Sequence, residues 1–150
     1  MSAIDWRTGL AALDREECLR LVQSSKLGRL ALLVDHQPLV FPVNFALDGA
    51  DVVVRTDETT RLYAARDSLV AFECDAADGI YHTGWSVIIT GDAVEVLDPD
   101  EITRLERLPL GPWCPGPKPV LLRVAARTIT GRRIPPHGMR RATDREGVRK

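Results

Sequence analysis

Six apolar runs of strand length, most of them closed by a turn signal, constrain this chain more than any other feature. They are "GRLALLV" (28–34), "LVFPVNFAL" (39–47), "VVVRT" (52–56), "LVAFECD" (69–75), "WSVIITGDAVEVL" (85–97) and "VLLRVAARTIT" (120–130). The first three are separated by the turn sequences "DHQP" and "DGAD", which read as hairpin connections. In the fifth run Trp85, Val87 and Ile89 form one alternating set, while Val94 and Val96 belong to the other. A β-bulge at Gly91–Asp92 would produce that change of parity.

Helical patterning is confined to two places. Asp14 with Glu17 three residues later makes a capping-box pair, and Leu13 can staple against Cys18. Cys18, Leu21, Val22 and Ser25 then share one face, and Gly28 is the expected stop. A second helix is expected over "PDEITRLERL" (99–108), with Pro99 in its first turn. "TRLYAARD" (60–67) is short and suits a crossover turn, and "PLGPWCPGPKP" (109–119) reads as a loop. The pattern predicts a mainly β chain: a closed or partly split antiparallel barrel of six strands with a few short helices, or else a sandwich. Residues 1–13 are expected to form a loosely held arm, 14–134 the single folded domain and 135–150 a tail.

The balance of residues excludes several classes. Net charge is -1, so the chain as a whole is not an electrostatic nucleic-acid binder. No apolar run approaches the ~20 residues of a membrane-spanning helix. Cys18, Cys74 and Cys114 form no CxxC pair, and an odd count predicts reduced thiols in a cytoplasmic protein. His36, His82 and His137 lack the spacing of metal ligands. Ser86 has no His and Asp pattern that would make it a nucleophile, and no side chain is assigned a catalytic role.

The residues with binding chemistry cluster at the third strand. "VVVRTDETTRLYAA" (52–65) leaves an apolar strand through Arg55 and Thr56 and returns through Thr60 and Arg61. Cations, hydroxyls and loop amides in so short a segment suit a phosphate, since guanidinium groups offer bidentate donors. The competing reading is a polar turn with Arg55 and Arg61 paired to Asp57 and Glu58. In the second strand Pro42 cannot donate to a ladder and marks an edge, bulge or split. Asn44 beside it requires hydrogen-bond partners. Trp85 and Ser86 open the fifth strand, where they could flank a ligand or a subunit contact. The tail carries seven Arg or Lys over 132–150 against Asp144 and Glu146, and reads as a solvated segment.

Taken in order, "LGRLAL", "PLVFPVNFAL", "VVVRT", "TTRLYA", "VAFECD" and "GWSVIITGDAVEV" resemble the FMN-binding split-barrel family related to pyridoxamine 5′-phosphate oxidase. The resemblance implies a six-stranded Greek-key barrel that forms a homodimer, with two flavins in clefts at the subunit interface. It implies that 14–134 is a flavin-binding domain, with FMN phosphate on Arg55, Thr56, Thr60 and Arg61. Pro42, Val43, Asn44 and Phe45 match the strand beneath the isoalloxazine ring, and Trp85 and Ser86 match the strand that approaches from the partner subunit. Thr59 stands where glycine is usual, and Arg61 where lysine is usual. "TGRRIPPHGMRR" does not reproduce the arginine motif used for vitamin B6 substrates. The implied function is an FMN- or deazaflavin-dependent oxidoreductase acting on a small organic substrate. The alternative is a non-catalytic protein that holds flavin or haem.

Overall fold

A computed structural model describes residues 4–5, 7–111 and 116–136. Eight strands and two α-helices follow in the order β1 (Ile4–Asp5), β2 (Leu10–Leu13), α1 (Arg15–Gln23), β3 (Leu27–Val34), β4 (Gln37–Asp48), β5 (Asp51–Thr56), β6 (Ser68–Asp78), β7 (Thr83–Glu95), α2 (Pro99–Leu105) and β8 (Val120–Ile134). A 3₁₀ turn, Arg61–Ala65, joins β5 to β6. The pairing order is β1-β2-β8-β5-β4-β3-β6-β7, and β7 pairs with β8 to close the ring. β3, β4 and β5 form a meander, and β6 returns beside β3, which is a Greek key. The mainly antiparallel, split-barrel expectation is thus met by β3 to β8.

The other two strands correct the reading of 1–13 as a loosely held arm. Leu10–Leu13 pairs with the end of β8, from Ala11 opposite Arg133 to Leu13 opposite Gly131, and Ala11 is buried. β8 runs fifteen residues, long enough to serve β5 with its first part and β2 with its last. The tail from 137 onward lies outside the described residues.

Local chemistry explains most element ends. Asp14 and Glu17 form the capping box, with Glu17 N donating to Asp14 Oδ1 at 2.9 Å. α1 ends at Ser24 rather than at Gly28, which lies inside β3. A Cβ on Gly28 would lie 2.4 Å from the Phe72 ring, so glycine there serves close packing and not a helix stop. The β3–β4 turn places Asp35 and His36 at φ of 50° and 63°, the pair of left-handed residues a tight hairpin turn needs. α1 buries Cys18 and Val22 in the barrel core, with Leu30, Phe72, Val87 and Ile89 among its neighbours. Burial of an aliphatic side chain of this kind is worth about 1.5–3 kcal/mol.

The irregularity expected near Gly91–Asp92 is present, but the extra residue is on the other strand. Thr90 faces Thr128 and Gly91 faces Ala126, which leaves Arg127 of β8 out of the pairing register, although its side chain forms an ion pair with Asp92 of β7. The inward set of β7 therefore continues unbroken through Val87, Ile89, Gly91 and Ala93, and Val94 is exposed. Val96 is buried in a second cluster outside the barrel, with Ala46, Val53, Leu105, Leu110 and Leu121. α2 and the segment after it cover that outer face. This is why three consecutive valines, Val52 to Val54, are all fully buried.

An ion cluster ties α2 to the barrel. Arg104 holds Asp48 through two bonds of 2.9 and 2.8 Å. Arg123 reaches Asp48 at 2.8 Å, Asp51 at 3.0 Å and Glu101 at 2.5 Å. The Arg104 hydrogen bonds, against the opposing effect of burial, and then Arg123 hold the Asp48 carboxyl far below its ordinary 3.8. A carboxyl with a depressed folded pKa stabilises the fold above its unfolded pKa, and that contribution is lost as pH falls through the folded value. The melting temperature should therefore fall progressively from about pH 4 downward. Asp48→Asn should melt lower at pH 7 and show a flatter acid limb, as scanning calorimetry across pH would measure.

Candidate functional site

The barrel opens between β4 and β5. Their ladder runs from Asp48 opposite Asp51 to Phe45 opposite Val54 and stops there. β4 remains paired to β3 through Asn44, Val43 and Pro42, while Arg55 and Thr56 of β5 pair only with Leu121 and Val120 of β8. One edge of β4 is thus released where Pro42, which has no N–H, interrupts the donor sequence. A cleft of about 280 Å³ lies at this split, bordered by Pro42, Val43, Asn44, Arg55, Thr56 and Thr60, with Phe41, Leu62, Leu110 and Lys118. Asn44 is anchored to the far side, its Nδ2 donating to Lys26 O at 3.3 Å.

The loop after β5 is held by its own polar groups. Thr59 N donates to Asp57 Oδ1 at 2.9 Å, and the Thr59 hydroxyl bonds the same carboxylate. Thr60 Oγ1 donates to Asp57 O at 3.0 Å and lies 2.7 Å from Thr56 Oγ1. Thr56 is 1% exposed, so its hydroxyl has a partner where burial requires one. Thr59 is not among the residues with positive φ, so threonine where glycine was usual strains nothing here. Lys118 Nζ stands 3.7 Å from Asp57 Oδ2. The bonds from Thr59, and then the Lys118 charge, lower the Asp57 pKa.

The polar-turn pairing of Arg55 and Arg61 with Asp57 and Glu58 is not what the structure contains. Asp57 is engaged by Thr59 and Lys118, and among the described residues neither arginine makes an ion pair. Arg55 is half-buried at the cleft; Arg61 is exposed at the start of the 3₁₀ turn and does not border it. The turn has five residues, so its dipole contributes little. Phe45 points into the core, 4% exposed, with its ring 4.7 Å from that of Phe72. Trp85 and Ser86 border a separate groove of about 410 Å³ at the far end of β7, with Arg132 and Arg133. Within one chain, six of the ten expected residues therefore meet at the cleft.

Lys118 was not anticipated. It sits in the proline-rich segment and carries no local signature. Only the pairing of Val120 with Thr56 brings it beside the loop at 57–60. Cys18 and Cys74 are buried, and desolvation raises both thiol pKa values, which suits core residues rather than nucleophiles. Among the described residues no group of His, Cys, Asp and Glu could hold a metal ion. No described helix is long and apolar enough to cross a membrane.

Known proteins share this sequence and fold. The profile of the pyridoxamine 5′-phosphate oxidase family matches residues 14–133. An uncharacterised protein of Mycobacterium tuberculosis, Rv0080, is 37% identical over 128 residues, covering 81% of this chain and 84% of its own. The structure of the FAD-binding protein from Mycobacterium smegmatis is 39% identical, with a TM-score of 0.73 over 82% of this chain and 98% of that one. The FAD- and haem-binding protein from the same organism superposes with a TM-score of 0.65 at 17% identity, over 80% of this chain and 71% of that one, a likeness of fold alone.

Proposed function

The chain belongs to the pyridoxamine 5′-phosphate oxidase family, and we propose that it binds a flavin, FMN or FAD, with a phosphate in the cleft between β4 and β5. One observation carries this reading: Arg55 faces the cleft with no ionic partner among the described residues, although an acidic residue lies two positions away. A half-buried guanidinium left without a counterion is set for an anion supplied from outside. Lys118 adds a second cation, and its 3.7 Å contact with Asp57 is loose enough to be exchanged for phosphate oxygens. The Thr56 and Thr60 hydroxyls, now bonded to one another, can each turn to donate. Arg61 is exposed and would reach the phosphate from outside the cleft.

The released edge of β4 from Pro42 to Asn44 offers backbone groups to a planar ring. Phe45 supports this strand from the core side. The 39% identical relative binds FAD, which favours a flavin here. When bound, the flavin supplies hydride transfer to or from a small organic substrate, and the chain supplies binding, orientation and electrostatics.

A second copy of the chain completes the site. The cleft, at about 280 Å³, is smaller than the roughly 300–1,000 Å³ of complete ligand sites, so a flavin ring needs another wall. The outward face of β4, β3, β6 and β7 exposes Leu33, Val40, Leu69 and Ile88 beside the Arg29–Glu73 and Arg127–Asp92 ion pairs, a mixed surface that a second copy could cover as a homodimer. Trp85 and Ser86 would then approach the ring from the partner subunit. Purified protein should carry a yellow chromophore or take up FMN or FAD on titration, and light scattering should give twice 16.6 kDa. Preference for the deazaflavin coenzyme or for haem would replace the flavin, and no binding of any of them at roughly 100 μM would overturn the reading.

A further inference from the structure

The charges around the cleft between β4 and β5 do not all have one sign. Among the described residues, the charged groups that border it are Arg55 and Lys118, both cations. Asp57 stays outside the border, but it belongs to the loop that joins Thr56 to Thr60, and both threonines line the cleft. Its Oδ2 stands 3.7 Å from Lys118 Nζ, and the two side chains are 23% and 19% exposed, so water screens their charges only in part. Glu58, the next residue, is exposed. Asp57 also shapes the loop. Its Oδ1 accepts from Thr59 N at 2.9 Å and from the Thr59 hydroxyl, and its backbone carbonyl accepts from Thr60 N at 3.3 Å and Thr60 Oγ1 at 3.0 Å. An uncharged acceptor makes the same turn, so the charge of Asp57 is separable from the shape it imposes. The Thr59 bonds, and then Lys118, hold the carboxyl below its ordinary value, so it is ionised at neutral pH.

We propose that Asp57 is a specificity-determining residue of this cleft: its negative charge disfavours a doubly charged phosphomonoester, as in FMN, relative to a singly charged phosphodiester. The second pKa of a phosphomonoester is about 6, so at pH 7.5 it carries close to two negative charges, whereas a diester phosphate carries one. Either ligand draws on Lys118, and each of its negative charges meets the same repulsion from the carboxylate beside that lysine. Coulomb repulsion scales with the charge on the ligand, so the monoester is penalised about twice as much. Two cations against one anion leave a single positive charge at the cleft, which one diester phosphate balances and a monoester exceeds. FAD divides its charge between two diester phosphates and so falls on the favoured side. This inference rests on the flavin reading of the same cleft and adds to it the residue that sets the preferred charge.

Fluorescence titrations at pH 7.5 with riboflavin, its singly charged 4′,5′-cyclic phosphodiester, FMN and FAD test it on wild type and on Asp57→Asn. Asparagine keeps the acceptor for Thr59 and removes the charge, so the melting temperature should change little. Asp57→Asn should tighten FMN about fourfold and the cyclic diester about twofold, the square relation expected when the repulsion energy doubles. FAD should gain less than FMN, and riboflavin should be unchanged. Asp57→Ser, which offers a hydroxyl acceptor to the same turn, should repeat the pattern and decides the matter if the asparagine variant folds poorly. An FMN gain no larger than that of the cyclic diester, or weaker FMN binding in the neutral variants, would overturn the proposal. So would an equal FMN gain in Glu58→Gln, which would assign the preference to the overall charge of the loop. Flavins bound with an unchanged preference remove this inference alone. Failure of wild type and both neutral variants to bind any of the four ligands at roughly 100 μM removes the flavin reading and this inference with it.

Discussion

Arg55→Ala combined with Lys118→Ala should weaken flavin binding by about a hundredfold or more. A hydrogen bond to a charged group contributes about 1.5–3 kcal/mol, or roughly ten- to a hundredfold in affinity. Both residues border one cleft, so their contributions will not simply add, and a double-mutant cycle is the appropriate measurement. The single changes should differ in kind. Arg55 has no ionic partner among the described residues, so Arg55→Ala should reduce affinity while leaving the melting temperature close to wild type. Lys118→Ala also leaves Asp57 without its cation, but both groups are near the surface and the cost to stability should stay within about 1 kcal/mol. Arg61→Ala should have the smallest effect on affinity, because Arg61 does not border the cleft. Unchanged affinity in the double variant would place the phosphate elsewhere.

The second large effect concerns the fold that holds the cleft open. Gly91→Ala should lower the melting temperature by roughly 10 °C or prevent folding. A Cβ on Gly91 would stand 1.8 Å from the Ala125 carbonyl oxygen, closer than any van der Waals contact. Relief requires moving β8 away from β7 at the bulge, where Arg127 is skipped in the pairing register. Overpacking of this kind costs about 1–3 kcal/mol or more, and for a chain of this size each kcal/mol shifts melting by about 2–4 °C. Gly79→Ala is the control, because a Cβ there meets nothing within 4 Å. If the two variants melted alike, the close approach of β8 to Gly91 would not be the reason for glycine at that position.

Several features were legible in the residues themselves because the forces that set them are local. A carboxylate three residues before another acid fixes the start of α1 through two short-range bonds, and the structure contains both. Apolar runs of strand length, set off by turn residues, located the six strands of the ring, since at least one face of each must leave water. Pro42 pointed to an edge, a bulge or a split because a missing N–H is a property of one residue, and the β4–β5 ladder ends at Phe45, three residues further along β4. The same logic placed Arg55, Thr56 and Thr60 together, being five residues apart at most.

Other features depend on chain partners distant in sequence. The outer face of β5 is covered by α2 and Leu110, so Val53 is as buried as its neighbours, and no pattern within "VVV" says which cover it will have. Gly28 looks like a helix stop until β6 lays Phe72 across it. The break in alternation near Gly91 was visible, yet whether β7 or β8 carries the extra residue depends on the register between them. Leu10–Leu13 is too short to hold itself as a strand, and becomes one because β8 extends past the barrel and leaves an edge to pair with. Lys118 reaches the cleft only because Val120 registers against Thr56 across the sheet. The residues determined which six segments form the strands of the ring and where an edge, bulge or split interrupts them. Closure of the ring, by hydrogen bonds between segments far apart in the chain, decided which charges face the opening.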